Sequence, residues 1–542
     1  MALPPNNTAW PPANLAPMRS KWGEWAAWYS NDTGALTDVY SGDQSTYRDG
    51  VIRSAAKAVA RYFWGEKRTD LTKPAERKLH VPVAADLCQA SSDLLFAEAP
   101  TVRVDYQAPT GKDGASVKPP QTVATTMERL AKIAGPDFHK ALASGAETAA
   151  ALGGVYLRAT WDTDVEDHPF VTVIDYDAAY PEFRWGRLVA VTFWRVVKTS
   201  NQQVWRHLER HQTDTDGTGV IYHGLYQGTA DSLGQIVPLA EDPSTADLPV
   251  DEDSKVSTLS PGLDVFHWEN IAPNRTWRTH PIGKHLGRSD LDGLEYLLDG
   301  LDEAYTSLMR DIRLGKAMLV VPKGMLENSG PGHGSSFAQD EVYSPINAAP
   351  GSAADAKLAV EQVQFDIRVA EHEQTITLLW NQIIRSAGYS AQTFGEGGDV
   401  ATTATEILAK ERRSGLTQGR KGRTVRPVLI ALLGKLLAID AAVFNSGADA
   451  SLPVSVELAD GVKDDPEALA RTAQMLFAAQ SASIETRVRV VNPGKDETWI
   501  EAEVDRIRVE NNLELADPEM VGLDGHNLTG QFGGGDNGGN TE

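Results

Sequence analysis

The chain of 542 residues is acidic, with 51 Lys and Arg against 74 Asp and Glu and a formal net charge of −23. Such a charge excludes strong binding to bare nucleic acid unless basic residues are segregated on one surface. The length allows several domains with sizeable cores, and the single cysteine, Cys88, excludes an internal disulfide and indicates a reducing compartment. No signal peptide is expected, and no apolar run is long enough to predict a membrane-spanning helix.

The first half of the chain predicts an α+β domain in which helices precede an antiparallel sheet. Residues 1–16 are rich in Pro and Asn and are expected to form an extended arm. Trp22, Trp25 and Trp28 then share one helical face, which we interpret as packing against a core or a neighbouring subunit rather than as a base-stacking platform. Further helices are expected at 83–97, 121–134 and 137–152, strands at 155–161, 170–175, 187–197, 203–211, 220–226 and 265–268, and a mobile loop at 239–261.

The stretch 289–313 has the most regular pattern in the chain. Its apolar residues are spaced alternately three and four apart, the heptad seam of a helix that packs along its length against other helices. Ser289 is expected to cap this helix, and the charged residues on its other face are acidic, with no Lys or Arg between Ser289 and Met309. The seam comprises Leu291, Leu294, Leu298, Leu301, Tyr305 and Leu308, and the acidic residues are Asp292, Glu295, Asp299, Asp302 and Glu303.

The second half returns to helices after a short segment of strands. Strands are expected at 317–321, 341–346 and 363–369, and a helix at 370–388. A glycine-rich loop at 389–402 leads to a long helix that begins at a capping box, Thr403 to Glu406, and is expected to kink at Pro427. A strand at 452–458 and three short helices follow, and residues 516–542 are expected to be disordered.

Motifs of catalysis are missing from the sequence. The segment 415–421 fails the spacing of a phosphate-binding loop, and no G-x-S-x-G elbow occurs. His207 and His211 lie on a predicted strand, where their rings start about 13 Å apart, too far to share one metal ion. We therefore expect no catalytic residue, no metal and no cofactor, and no enzymatic activity.

One group of basic residues is segregated on the long helix: Lys410, Arg412, Arg413, Arg420, Lys421, Arg423 and Arg426. Two interpretations are open for these side chains. They could be solvated or pair with the carboxylates of a neighbouring subunit, or they could contact nucleic-acid phosphates transiently.

In their order along the chain, several segments resemble the portal proteins of tailed double-stranded DNA bacteriophages, in the branch common among siphophages of actinobacterial hosts. These segments are AADLCQASSDLLFAEAP at 84–100, GGVYLRATWD at 153–162, the stretch 287–322, GYSAQTFGEGGDVATTATEILAKERR at 388–413, and 483–510. Each motif alone has low specificity, and the ordered set spans nearly the whole chain.

The resemblance implies a fold with a wing, a helical stem, a small α/β clip and a helical crown, assembled as a ring of about twelve subunits. It implies an arm at 1–16, a wing at 17–284, stem helices at 285–313 and 370–388, a clip at 314–369, a long helix and wing strand at 403–460 and a crown at 461–515. The tunnel loop at 389–402 would approach the DNA through Ser390, Gln392, Thr393, Phe394, Gly395, Glu396, Gly397, Gly398 and Asp399.

The function implied is a channel for packaging and ejecting DNA at one vertex of the capsid. The partners implied are other copies of the chain, double-stranded DNA bound without sequence specificity, the terminase large subunit, the major capsid protein and the head–tail connector. Localisation would be the virion, and the host cytoplasm during assembly, with no membrane partner. The acidic face of 289–313 would then line the channel and repel DNA, which keeps sliding friction low.

Two other functions remain as alternatives. A head–tail adaptor or minor capsid protein is one, although adaptors are usually far smaller. A hydrolase that uses scattered carboxylates is the other, although its acids would need isolated pairs in apolar surroundings.

Overall fold

The computed structural model describes residues 3–41, 78–106, 119–314, 318–322, 343–346, 361–363, 368–395, 404–458, 466–492, 495 and 497–510. These residues belong to two compact units, 1–461 and 462–542. The chain is of mixed α+β class, as predicted. Among the described helices, none is both long and apolar enough to span a bilayer.

The helices in chain order are α1 (Ala16–Tyr29), α2 (Thr33–Ser41), α3 (Val83–Phe96), α4 (Gln121–Ile133), α5 (Pro136–Leu152), α6 (Pro243–Ala246), α7 (Glu295–Leu314), α8 (Val369–Ala387), α9 (Ala404–Val443), α10 (Pro466–Ala478), α11 (Ile484–Val491) and α12 (Glu497–Glu510). The strands are β1 (Thr101–Val104), β2 (Gly154–Thr160), β3 (Phe170–Asp175), β4 (Ala179–Arg184), β5 (Arg187–Ser200), β6 (Gln203–Thr213), β7 (Thr218–Thr229), β8 (Ser232–Val237), β9 (Lys255–Pro261), β10 (Val265–Glu269), β11 (Met318–Pro322), β12 (Tyr343–Ile346), β13 (Glu361–Val363) and β14 (Val454–Glu457).

Two antiparallel sheets form most of the β structure of the first unit. The larger has the strand order β4-β5-β6-β7-β8, with β9 also paired to β7, and the smaller has the order β10-β2-β3. Gly153 adopts a left-handed conformation (φ 96°) at the end of α5, so the helix stops there and β2 begins at once. The predicted order of helices followed by an antiparallel sheet is confirmed.

Two large hydrophobic cores hold the first unit together, beside a smaller cluster around Trp10. The first core contains the buried Trp22, Trp25 and Trp28 of α1 together with residues of α7 and α8, which confirms the interpretation of these tryptophans as core residues. The second lies beneath α9, a helix of 40 residues that continues through Pro427. The fully buried leucines that α9 contributes to it are Leu429, Leu432, Leu433, Leu436 and Leu437.

Four strands were not predicted, and one predicted loop is partly wrong. β9 occupies the end of the expected loop at 239–261, because its backbone pairs with β7. β1 pairs with β14, over 300 positions further along the chain. The N-terminal segment is tied to the larger sheet, where Trp10 is buried and the Tyr226 hydroxyl donates to the Pro4 carbonyl at 2.6 Å.

The helices α7 and α8 run antiparallel. Asp311, near the end of α7, accepts hydrogen bonds from Arg368 and His372 at the start of α8. At the opposite end, Asp290 before α7 accepts a hydrogen bond from Tyr389 after α8. The part of the chain that connects α7 to α8 contains a three-stranded sheet, in which β11 pairs parallel with β12 and antiparallel with β13.

The second unit contains α10, α11 and α12. Val488, Ile500 and Val504 form its buried core. The side chain of Ser483 caps α11 by accepting the amide hydrogen of Thr486 at 3.1 Å. The expected disordered tail at 516–542 lies outside the described residues.

Candidate functional site

The heptad seam of α7 packs inside its own subunit. Leu291, Leu294, Leu298 and Leu301 are buried in the first core, and Tyr305 is half-buried against it. Leu308 is also half-buried. The partners across this seam are residues of α8, among them Ile383 and Ile384. Regular helix begins at Glu295 instead of after Ser289, because Gly293 has a left-handed conformation with a φ of 83°. The Ser289 hydroxyl donates to carbonyls at the end of α5 and accepts the amide hydrogen of Leu291 at 3.0 Å.

The predicted exposed acidic face of α7 is wrong at Glu295 and Asp302, since both side chains are buried. Glu295 accepts a hydrogen bond from the Trp25 indole at 2.9 Å and lies 3.1 Å from the Lys21 ammonium. Asp302 lies 2.8 Å from the His80 ring and accepts the amide hydrogen of Val81 at 2.9 Å. These carboxylates therefore attach α7 to other parts of the same chain.

The other predicted channel acids differ in their exposure. Asp299 is mostly buried and forms an ion pair with Lys78. Asp292 accepts hydrogen bonds from the Thr276 hydroxyl, and burial raises the pKa of its carboxyl. Glu303 is half-buried. Lys21 and Lys78, from distant segments, thus pair with Glu295 and Asp299, and His80 hydrogen-bonds Asp302, on a face that looked uniformly negative in the sequence.

The solvent-exposed side of the helix pair is mostly uncharged. On α7, Tyr296 is 88% exposed. On α8, Leu378 is 72% exposed and is flanked by the exposed polar residues Gln374, Thr375 and Gln382. The surface that faces outward from these helices therefore offers mainly hydroxyl, amide and apolar groups. Its exposed charged residues are Glu371, Glu373, Arg310 and Arg385.

A buried polar cluster joins one end of the helix pair, where α7 begins and α8 ends, to α9. Lys421 of α9 contacts Asp290, Ser91 and Tyr389 through its ammonium group. Asn270 donates a further hydrogen bond to Asp290 at 2.9 Å. Burial, followed by the charge of Asp290, raises the pKa of the Tyr389 hydroxyl, which therefore remains a hydrogen-bond donor. Lys421 is only 2% exposed, so its assignment to an exposed basic cluster is wrong.

The described part of the predicted tunnel loop is anchored at its start. Ser390 and Thr393 hydrogen-bond the Ser414 hydroxyl of α9 at 3.0 and 2.7 Å. Phe394 packs edge-on against Trp380 and Tyr389. Gln392 lies in the same short 3₁₀ helix, and Gly395 ends it with a φ of 78°. Glu396, Gly397, Gly398 and Asp399 lie outside the described residues.

The five arginines of the predicted basic cluster share one exposed face of α9. Arg412, Arg413, Arg420, Arg423 and Arg426 are all exposed. Leu416 lies among them and is 64% exposed. Arg413 also donates to the carbonyl of Arg385 at the end of α8. The side chain of Lys410 lies outside the described part of the chain. The sequence thus identified five members of a continuous cationic surface, which we call the arginine face.

A cavity of about 570 Å³ opens between the two sheets. His207 and His223 line it, with ring nitrogens 3.2 Å apart. Burial lowers the pKa of both histidines to about 4, so both rings are neutral at physiological pH. His211 lies instead between Asp264 and Glu209, at 2.8 and 2.7 Å. The sequence pattern paired His207 with His211 and missed His223, which comes from the neighbouring strand.

One group of potential metal ligands occurs among the described residues: Glu166, Asp167 and His168, in the β2–β3 turn. Glu166 and Asp167 are exposed, and Asp167 already accepts hydrogen bonds from Lys132 and His168. This arrangement is a surface ion-pair network. No known family model matches the chain, and no curated protein matches it either.

Proposed function

We propose that the chain is the portal subunit of a tailed double-stranded DNA bacteriophage, and that about twelve copies form a ring through which DNA enters and leaves the capsid. One observation carries the proposal. An antiparallel helix pair, α7 and α8, is connected through a small three-stranded sheet, and the 40-residue helix α9 follows α8 in the chain. This is the order of stem, clip, stem, tunnel loop and long helix that the sequence resemblance implies.

Because three of the predicted channel acids are bound within their own subunit, the proposed channel wall differs from the acidic wall that the sequence implied. Glu295, Asp299 and Asp302 hold α7 to the rest of the subunit, so the wall is formed by the exposed side of the helix pair, with Thr375, Leu378 and Gln382 of α8 as candidates. Uncharged groups bind phosphates weakly because they release no counterions. A mostly neutral wall would therefore also let DNA slide with little friction.

The arginine face of α9 supplies positive charge to a strongly acidic subunit. Identical subunits with a charge of −23 repel one another, so a ring needs opposite charges at its interfaces. We propose that the arginine face lies against carboxylates of a neighbouring subunit. The three-stranded sheet between α7 and α8 is the proposed docking site for the terminase large subunit and later for the head–tail connector. The major capsid protein would surround the ring, whose role is structural and includes no catalytic step.

Electron microscopy of the purified chain tests the proposal directly. We expect particles with a central hole and a rotational symmetry near twelve when viewed along the axis. Sedimentation over a wide range of protein concentration gives an independent measure of mass. Monomers at every concentration, with no rings on the grids, would contradict the proposed function.

A further inference from the structure

The turn between β4 and β5 presents a tryptophan to solvent. Trp185 is 97% exposed, more than any other large hydrophobic residue in the described chain. Trp185 and Gly186 have φ values of 52° and 78°. Positive φ at both central residues is what a two-residue hairpin turn of type I′ requires. Asn, Asp and Gly suit such positions, whereas a bulky residue there is strained. A bulky residue that keeps a strained backbone conformation while its side chain is exposed to solvent points to a role in binding.

Two arginines flank this tryptophan. Arg184 and Arg187 are paired across the hairpin, directly before and after the turn, and both are exposed. The tip therefore presents an indole between two guanidinium groups, a composition typical of residues that dominate protein interfaces. We call residues 184–187 the tryptophan tip.

A groove of complementary chemistry lies elsewhere on the same unit. It has a volume of about 330 Å³ and lies between the α4–α5 junction and the β2–β3 turn. Ile133, Pro136, Phe138 and Phe170 give it apolar walls, and Val165 at its edge is 65% exposed. We call this the Val165 groove.

Acidic side chains surround the Val165 groove. Asp164 and Glu166 are exposed in the β2–β3 turn, and Asp137 lines the groove from α5. Lys132 also lines the groove, but its ammonium group is paired with the carboxylate of Asp167. An apolar groove with an acidic rim matches an indole with two flanking cations, both in shape and in the sign of its charge.

The tip and the groove belong to one chain but do not contact each other within it, because Trp185 is almost fully exposed. Phe170 of the groove starts β3, whereas the tip follows β4, and these two strands belong to different sheets. We propose that Trp185 inserts into the Val165 groove of a second copy of the chain, with Arg184 and Arg187 against Asp164 and Glu166. Such a contact is head-to-tail, the type of interface that generates rings.

This inference rests on the proposed ring and names one of its contacts. Double-stranded DNA is a poorer partner for the tip, because its bases are already stacked and expose no face to an indole. Single-stranded nucleic acid could stack on Trp185, and the experiments below include that outcome.

Disulfide trapping tests the contact. Cys88, the only native cysteine, is buried, so engineered thiols react with little background. In the Trp185→Cys, Val165→Cys double variant we expect a ladder of covalent multimers on oxidation, seen by electrophoresis without reductant. The matched control pairs Trp185→Cys with Leu259→Cys, because Leu259 is 62% exposed, close to the value for Val165.

The outcomes separate this inference from the proposed function. Rings on the grids, with no more cross-linking in the double variant than in the control, would overturn the contact and leave the ring standing. A ladder without closed rings would support the contact and contradict the ring. Monomers that give no ladder would overturn both.

A charge exchange tests the arginines. Arg184→Glu with Arg187→Glu, or Asp164→Lys with Glu166→Lys, should each weaken self-association about tenfold, and the four changes together should restore it. Glu241→Lys with Glu252→Lys is the control for the acidic pair, since both residues are exposed and carry the same change of charge. If the arginine variants instead assemble normally and lose affinity for a single-stranded oligonucleotide, the partner is nucleic acid and the proposal fails.

Discussion

The ammonium nitrogen of Lys421 lies 2.5 Å from Oδ2 of Asp290, and both side chains are buried. Lys421 belongs to α9, whereas Asp290 precedes α7, so this ion pair connects the long helix to the helix pair. Tyr389, which follows α8, donates to the same carboxylate oxygen at 2.7 Å. Buried charges are stable only when they are paired and hydrogen-bonded. Movement of the helix pair away from α9 would therefore break this ion pair, and the buried charge of Asp290 would lose its partner at a large electrostatic cost.

Replacing Lys421 with methionine should destabilise the first unit by about 3–5 kcal/mol, because Asp290 would remain as a buried, unpaired charge. Urea denaturation followed by tryptophan fluorescence measures the change in the free energy of unfolding. Arg420→Met is the matched control on the exposed side of the same helix, and it should change stability by less than about 0.5 kcal/mol. Adding Asp290→Asn to Lys421→Met should recover part of the loss. If Lys421→Met and Arg420→Met had equal free energies of unfolding, this assignment would be contradicted.

Stability should fall as the pH rises from 6.5 to 8, because of His211. Burial acts to lower the pKa of His211, but Asp264 and Glu209 outweigh it and raise the pKa to about 9. The folded protein therefore holds a proton that the unfolded chain releases near pH 6.5, and this contribution is complete below 6.5 and lost as pH approaches 9. The expected loss by pH 8 is about 2 kcal/mol. The window ends at pH 8 because burial lowers the pKa of Lys435 to about 8, and its titration acts in the opposite direction.

The control for this prediction removes the titrating group. His211→Gln should flatten the pH dependence between 6.5 and 8, because the side chain at this position then no longer binds a proton. Persistence of the full slope in His211→Gln would show that another group is responsible.

Acidification below pH 6.5 should also destabilise the fold, through His207 and His223. Their pKa values of about 4, lowered by burial, mean that the unfolded chain binds protons between pH 6.5 and 4 while the folded protein does not. Their contribution is therefore complete above pH 6.5 and is lost as the pH falls towards 4. His223→Asn should reduce this acid limb in urea titrations at pH 5 relative to pH 6.5, and an unchanged limb would contradict the prediction.

The periodic features could be predicted from sequence because they depend on neighbouring residues. The seam from Leu291 to Leu301 and the face of Trp22 and Trp25 follow from spacing alone, and the structure buries all of them. The environment of the α7 carboxylates could not be predicted in the same way. Lys78 is 221 positions from Asp299, and Lys21 is 274 positions from Glu295. No local pattern links these partners.

Strand pairing accounts for the missed histidine. His207 and His223 meet because Glu209 pairs with His223 in the β6–β7 hairpin, which brings His207 diagonally next to it. The two strands themselves were predicted, and Gly217 lies in the turn between them with a φ of 86°. The spacing of the hairpin residues left the register of the two strands open, and a shift of one residue would move either ring to the other face of the sheet.

Asp302 and Glu303 provide a direct test of which carboxylates support the subunit. Asp302→Asn should lower the free energy of unfolding by about 1–3 kcal/mol, because a buried carboxylate that binds His80 and the Val81 amide loses its charge. Glu303→Gln, one position along the same helix and half-buried, should cost less than about 0.5 kcal/mol. If the two variants had equal effects on the free energy of unfolding, Asp302 would not support the subunit more than Glu303 does, and the prediction would be wrong.

The arginine face can be assigned to a protein or a nucleic-acid partner by its response to salt. Arg420→Glu with Arg423→Glu should lower the NaCl concentration at which assembled rings dissociate in sedimentation experiments, because two attractions to a neighbour's carboxylates become repulsions. Arg506→Glu with Arg508→Glu on α12 is the matched control, since these exposed arginines form only surface pairs within their own helix. If the α9 variant keeps its rings at the same salt and loses retention of double-stranded DNA instead, the arginines contact phosphates. Counterion release would then reduce the salt dependence of DNA binding by about one unit per arginine removed.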